Sequence, residues 1–363
     1  MKKMFLFFLP FTLFCAQKSP LPIVVSLHTH LEMAGAPKTL WEEIAKRNKT
    51  TLPDDVYDFQ RTYDFETFNK AYFGFCSVLR TPYDFYCLME DALMRAHARG
   101  IKLMEIIVSP QLAEDKEISW QEMLETCNTT IDIAHSRMDM RAGALLTLIK
   151  GAAPAQGQKG TEYVRHLIEE RKKGKLQHFV GIHLSGPEEE VDDYTQFIEP
   201  FTLARDAGLG CAAHAGEWGS AGNIKNAIEQ LGVTRVGHGI RAGEDPAVIA
   251  LLKERKVHLE ICPTSNVCTG AVKSSRIVDH PARTLFQQGV RLYPCNSDDP
   301  TLFRDTTEQQ EAVVVQANLG FTDQELLACQ RHAIEASFLT REDKVLATQE
   351  LDRYERATGC VVS

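Results

Sequence analysis

The sequence predicts an α/β fold, a closed (β/α)8 (TIM) barrel with a helical insertion after its first strand and extra helices at the C-terminal end. Three observations predict it. Eight short apolar runs recur along the chain, each followed by a polar or Gly/Pro segment, as buried strands do. Longer amphipathic stretches lie between them, and strands alternating with helices imply a mainly parallel sheet. Glycines fall just past several of those stretches, where a left-handed helix cap is wanted.

In chain order the strands are predicted at 23–27, 102–108, 141–149, 179–184, 210–213, 235–237, 257–261 and 290–295. Helical patterns cover 86–99, 162–173, 194–207, 224–231, 246–255 and 281–288, with Gly100, Gly174, Gly208, Gly232 and Gly289 as caps. Residues 39–75 break the simple repeat and read as a helical insertion. The chain from Thr322 onward reads as closing helices.

With 363 residues, no linker and no internal repeat, one catalytic domain over 22–350 is expected. The net charge is −9 and the basic residues are dispersed. The run Arg171-Lys172-Lys173 reads as a solvated helix face, so no nucleic-acid or polyphosphate partner is suggested. A small, roughly neutral substrate fits better. Ten cysteines at irregular spacing, with no CxxC pair, suggest neither a disulfide scaffold nor a structural zinc site. Cys211, Cys262 and Cys295 sit in apolar runs and read as small core residues.

Residues 1–19 stand apart. A basic start at Lys2-Lys3, an eleven-residue apolar run over 4–14 and a polar 16–19 follow the layout of a secretory signal. The run is too short to span a bilayer, so no stable membrane insertion is expected. This layout favours export over a cytoplasmic location, although Leu13 and Phe14 stand where cleavage wants small residues. The cysteines of the rest of the chain weigh against an oxidising compartment.

In this fold, active sites form at the C-terminal ends of the strands. The sequence places His28-Thr29-His30, His183, His214-Ala215-Gly216-Glu217, His238 and Asp298-Asp299 at those ends. In an extended chain, residues two apart share a face, which suits His28 and His30 to one metal ion. With His214 and Asp298 they would make a nitrogen-rich site, for which zinc is the first choice. Glu217 reads either as a helix N-terminal carboxylate favoured by the dipole or as a proton carrier beside the metal. His238, between Gly237 and Gly239, stands where the backbone can approach a ligand closely.

These segments resemble the adenosine deaminase family of the amidohydrolase superfamily. The matching stretches are Ser26-Leu27-His28-Thr29-His30-Leu31-Glu32, His214-Ala215-Gly216-Glu217, Val236-Gly237-His238-Gly239, Glu260-Ile261-Cys262-Pro263-Thr264-Ser265-Asn266-Val267 and Asn296-Ser297-Asp298-Asp299-Pro300. Their order and spacing agree from about residue 22 to 345. The resemblance implies one zinc ion per chain, held by His28, His30, His214 and Asp298. It implies Glu217 as proton donor to the purine ring nitrogen beside the reacting carbon, and His238 as the residue that orients the attacking water and helps take its proton. It places His30, Glu32, Gly186 and Asp299 against the substrate, with Asp299 toward the imidazole side of the purine. The activity implied is hydrolytic deamination of a 6-aminopurine, first of all adenosine and deoxyadenosine to inosine-type products and ammonia.

The match departs from the adenosine-specific pattern at three places. Glu32-Met33 replaces an Asp-Gly whose Asp contacts the ribose; Glu is common there in relatives acting on adenine or other purine derivatives. His183 stands where an Asp is usual, and Trp218 adds an aromatic wall or a loop anchor. Adenine and aminodeoxyfutalosine are therefore the alternative substrates. Two rival readings differ in class. A two-metal amidohydrolase would need a bridging Lys or Glu at the end of the fourth strand, where only His183 is offered. A non-catalytic purine-binding protein would have no need of the full catalytic set. Oligomeric state is not given by the sequence.

Overall fold

The computed structural model of the chain describes residues 21–54, 56, 65–114, 116, 118–151, 155–188 and 193–358. The secretory-signal reading of residues 1–19 lies outside the described residues.

The apolar runs form eight strands: β1 Val25–Ser26, β2 Leu103–Val108, β3 Arg141–Ile149, β4 Phe179–Ser185, β5 Gly210–Ala215, β6 Arg235–His238, β7 His258–Glu260 and β8 Leu292–Tyr293. They pair in chain order, each parallel to the next. A parallel bridge between Thr29 and Asp298 joins the chain past β1 to the chain past β8. There His30 N donates to Asp298 O at 3.2 Å and Asp298 N donates to His28 O at 3.0 Å, which closes the ring.

The strands are nearly continuous in buried residues, because helices cover the outer face and side chains fill the inside. The helical insertion comprises α1 Lys38–Arg47 and α2 Phe65–Cys76, followed by α3 Pro82–Ala98. Then come α4 Gln111–Glu114, α5 Trp120–Arg137, α6 Ala155–Lys172, α7 Ile198–Asp206, α8 Ala221–Asn226, α9 Pro246–Glu254, α10 Pro263–Cys268, α11 Ala282–Gln287, α12 Glu308–Leu319, α13 Asp323–Ala336 and α14 Val345–Thr358. The five predicted caps all adopt positive φ; Gly232, at φ +68, ends a π turn that continues α8.

Element ends moved where capping outweighed periodicity. α3 starts at Pro82 rather than 86, since Pro suits the first helical position and Thr81 with Asp84 forms a capping box. The predicted strand 290–295 keeps only Leu292 and Tyr293 in the ladder. The cysteines among the described residues are all free, and Cys211, Cys262 and Cys295 are buried as expected of core residues. No helix among the described residues is long and apolar enough to cross a membrane.

Candidate active site

The strand ends bring the predicted residues to one place. His28 and His30 leave β1 on a shared side, His214 sits near the end of β5, His238 ends β6, and Asp298 follows β8. Potential ligand atoms of His28, His30 and His214 lie within 4.8 Å of one another, as do those of His28, His238 and Asp298, and those of His30, Asp298 and Asp299. The Nε2 atoms of His28 and His214 are 2.9 Å apart. Asp298 Oδ1 is 3.6 Å from the Nε2 atoms of both His28 and His30.

This donor set fits a zinc ion. Glu260 Oε2 lies 2.6 Å from His28 Nδ1 and accepts a hydrogen bond from the N–H there, which leaves the Nε2 lone pair facing the cluster. Burial lowers His30 to about 4, so that its imidazole is neutral, the form that ligates. Burial works to raise Asp298, and the imidazoles of His238, His28 and His30 outweigh it and hold the carboxylate below its usual range. Three imidazoles and one carboxylate are a common zinc complement.

Two backbone features make the convergence feasible. His238 and Asp298 adopt left-handed conformations, φ +61 and +59, which non-glycine residues enter at a cost of order 1–3 kcal/mol. A Cβ at Gly237 would stand 2.6 Å from His214 Cδ2 and 2.7 Å from His28 Cε1. Only glycine lets both imidazoles pass that point of β6.

Around the cluster stand the proton-bearing groups. Glu217 follows β5, with its Oε2 3.4 Å from His238 Nε2. Asn266, on α10, donates from Nδ2 to Glu217 Oε1 at 3.1 Å and lies 3.0 Å from His238 Nδ1. An amide donor at Nδ1 puts the proton of the neutral His238 ring on Nε2, which faces Glu217 and the more distant Asp298. Burial, reinforced by Asp298, pushes both Glu217 and Asp299 well above the usual carboxylate range. A carboxyl pushed toward its protonated form can donate a hydrogen bond.

A cavity of about 470 Å³ opens above these groups. His30, Gly186, His214, Glu217, His238, Asp298 and Asp299 line its floor, while Phe68, Asn69, Tyr72 and Phe73 of α2 form one wall and Trp218 another. Glu32 is not on that wall. It is fully buried beside Tyr72 and Ser109, and burial pushes its carboxyl up to about 7. His183 lies below the lining, its Nδ1 2.9 Å from Ser185 Oγ and its ring edge-on to His214.

Sequence reasoning missed the groups that hold these side chains. Arg235, fully buried, binds Glu260 on one side and Glu105 on the other. Glu105 in turn accepts from Ser337 Oγ and Phe338 N, both at 2.6 Å. The signal was present: a charged residue inside an apolar strand run must be paired. Glu188 and Lys150 were passed over as well.

The family model described as adenosine deaminase matches residues 23–354. The adenine deaminase of Sinorhizobium fredii (strain NBRC 101917 / NGR234) is 31% identical over 325 residues, which is 87% of this chain and 95% of that protein. The aminodeoxyfutalosine deaminase of Streptomyces avermitilis is 27% identical over 336 residues, 91% of this chain and 90% of that one. Among solved structures, the adenine deaminase from Arthrobacter aurescens superposes with a TM-score of 0.82 at 26% identity, covering 93% of this chain and 99% of that chain.

Proposed function

The chain belongs to the adenosine deaminase family, and we propose that it hydrolyses the 6-amino group of adenine, or of a close 6-aminopurine relative, with one zinc ion per chain. Membership makes it a hydrolase of carbon–nitrogen bonds in cyclic amidines that acts on 6-aminopurines.

His28, His30, His214 and Asp298 would hold the zinc, which supplies Lewis acidity that makes water a nucleophile near neutral pH. The rest is the work of the chain's own groups. A purine seated against Gly186 meets Glu217 at the ring nitrogen beside C6 and Asp299 at the imidazole-side nitrogen. Both purine nitrogens are acceptors, and both carboxyls are pushed toward the protonated form that donates. Glu217 gives its proton to the ring nitrogen as water oxygen adds to C6, so charge does not build up on the ring. His238 aligns that water by donating from Nε2, held by Asn266 at Nδ1. The two protons of that water balance the step: one returns to the Glu217 carboxylate and the other joins the amino group, so that breaking the C6–N bond releases ammonia and leaves the 6-oxopurine.

The observation that carries the choice of adenine is the place of Glu32. Where the adenosine-specific pattern has an Asp that contacts the ribose, this carboxyl is fully buried beside Tyr72 and Ser109 and does not itself line the cavity. Adenosine, the first expectation from the sequence, therefore ranks below adenine, which is also what the Sinorhizobium and Arthrobacter relatives are named for. A second reading has its own support. Phe68, Phe73 and Trp218 give the cavity an aromatic mouth that a bare base leaves uncovered, which suits a longer adenosine derivative such as aminodeoxyfutalosine.

Ammonia release from adenine, adenosine, 2′-deoxyadenosine and aminodeoxyfutalosine tests the proposal. Adenine is expected to give the highest kcat/KM. A faster reaction with adenosine overturns the substrate assignment, and no release from any of the four overturns the function. Metal analysis is expected to find close to one zinc per chain.

A further inference from the structure

Glu217 sits on a loop whose backbone is gathered by a single side chain. Residues 216–219 connect β5 to α8, and their amides need acceptors that no helix or strand supplies. Glu188, in the loop after β4, accepts them all. Its Oε1 takes the N–H of Gly216 at 2.8 Å, and its Oε2 takes those of Glu217, Trp218 and Gly219 at 2.8, 2.9 and 3.2 Å. Successive N–H groups in such a concavity form an anion nest; the anion is the protein's own. Glu188 is only 4% exposed. Its counter-charge is the buried Lys150, Nζ 3.6 Å from Oε1, which also donates to the carbonyl of His214 at 2.7 Å. Burial works to raise Glu188, and Lys150 with the amides outweighs it and keeps the carboxylate charged.

We propose that Glu188 is a positioning residue of this site: its carboxylate fixes the loop that presents the Glu217 carboxyl and the Trp218 indole to the substrate. The inference rests on the reading of Glu217 as the proton donor. The chemistry is specific to a carboxylate. Glutamine at 188 would turn an N–H pair toward amides that themselves donate, so at least one loop amide loses its acceptor and the loop relaxes. A displacement of about 1 Å at a catalytic group costs on the order of 100-fold in rate.

The test uses Glu188→Gln in the zinc-loaded, full-length protein and the 6-aminopurine that turns over fastest in the panel above. Expected are a fall in kcat of about 10- to 100-fold, KM within about threefold of the parent, and unchanged zinc content. Acrylamide quenching of tryptophan fluorescence should rise. Trp41 and Trp120 are buried and Trp218 is not, so the change reports the loop without any turnover. In a Glu217→Gln background the same substitution should lower the residual rate by less than about twofold, because the group it positions is already gone. An equal loss in both backgrounds, an unchanged kcat in the single variant, or unchanged quenching overturns the inference. Should Glu188→Gln fail to fold, Lys150→Met, which strips the counter-charge and leaves the nest, is held to the same outcomes. A parent that deaminates no purine sinks the functional reading; an active parent indifferent to Glu188→Gln sinks only this one.

Discussion

The floor and the mouth of the cavity are built on different principles. At the floor, reactive side chains are held by second residues: His28, just beneath it, by Glu260, and His238 and Glu217 by Asn266. The backbone there accepts left-handed strain at His238 and Asp298. The mouth is a helix face and a loop residue, Phe68, Tyr72, Phe73 and Trp218, with Phe73 57% exposed. Chemistry needs orientation to a fraction of an ångström, and strand ends in a closed ring supply it. Choice of substrate needs only shape and apolar area, which a helix in an insertion can change without disturbing the ring. The difference separates two kinds of substitution, those that abolish turnover and those that redirect it.

The largest effect is expected at the floor. Glu217→Gln should cut kcat by about 10²- to 10⁴-fold while zinc content, read by elemental analysis, stays at the parent value; loss of the metal would show that floor residues cannot be separated by role. Next is Glu260→Gln, which replaces the carboxylate partner of His28 Nδ1 by a neutral amide and should weaken zinc binding by about 10- to 100-fold in a chelator competition. That variant also breaks a buried ion network with Arg235, so a melting curve must accompany it. At the mouth, Phe73→Ala should shift the kcat/KM ratio of aminodeoxyfutalosine to adenine by about tenfold or less and leave kcat on adenine nearly unchanged. A kcat collapse there would mean that the two regions are one.

The smallest effect lies behind the floor. Glu311 on α12 accepts from Thr264 N at 3.1 Å, and burial pushes its carboxyl up to about 8. A carboxyl raised in the folded state stabilises fully below its unfolded pKa of about 4.3 and loses that contribution as pH rises through the folded value. The Tm of the parent should therefore fall between about pH 5 and 8, and Glu311→Gln should flatten part of that fall. An identical slope in both proteins would remove Glu311 as its source.

The floor could be read from the sequence and the mouth could not, for physical reasons. Metal-binding and proton-carrying groups are few in type, and in a parallel barrel their place at strand ends is dictated by topology, so His28, His30, His214 and Asp298 announce a common site across 270 residues. Arg235 and Glu260 were visible as charges within apolar runs, but a partner such as Glu105 is found only once the strands are arranged in space. Phe68 and Phe73 carry no such mark, since aromatic residues at helical spacing look the same whether they face a core or a cavity. Glu188 was silent for another reason: its role is to receive backbone amides, and backbone leaves no trace in composition.

The bridge between Thr29 and Asp298 has a further consequence. The expected ligands straddle the seam where the last strand meets the first: His28 and His30 stand on one edge, Asp298 on the other. An ion shared across that join would act as a clasp on a hoop, so that occupancy and integrity of the hoop would rise and fall together. Stripping the ion should loosen the two chain-distant edges first, and slowed amide exchange at His30 and Asp298 on reloading would register the clasp being fastened.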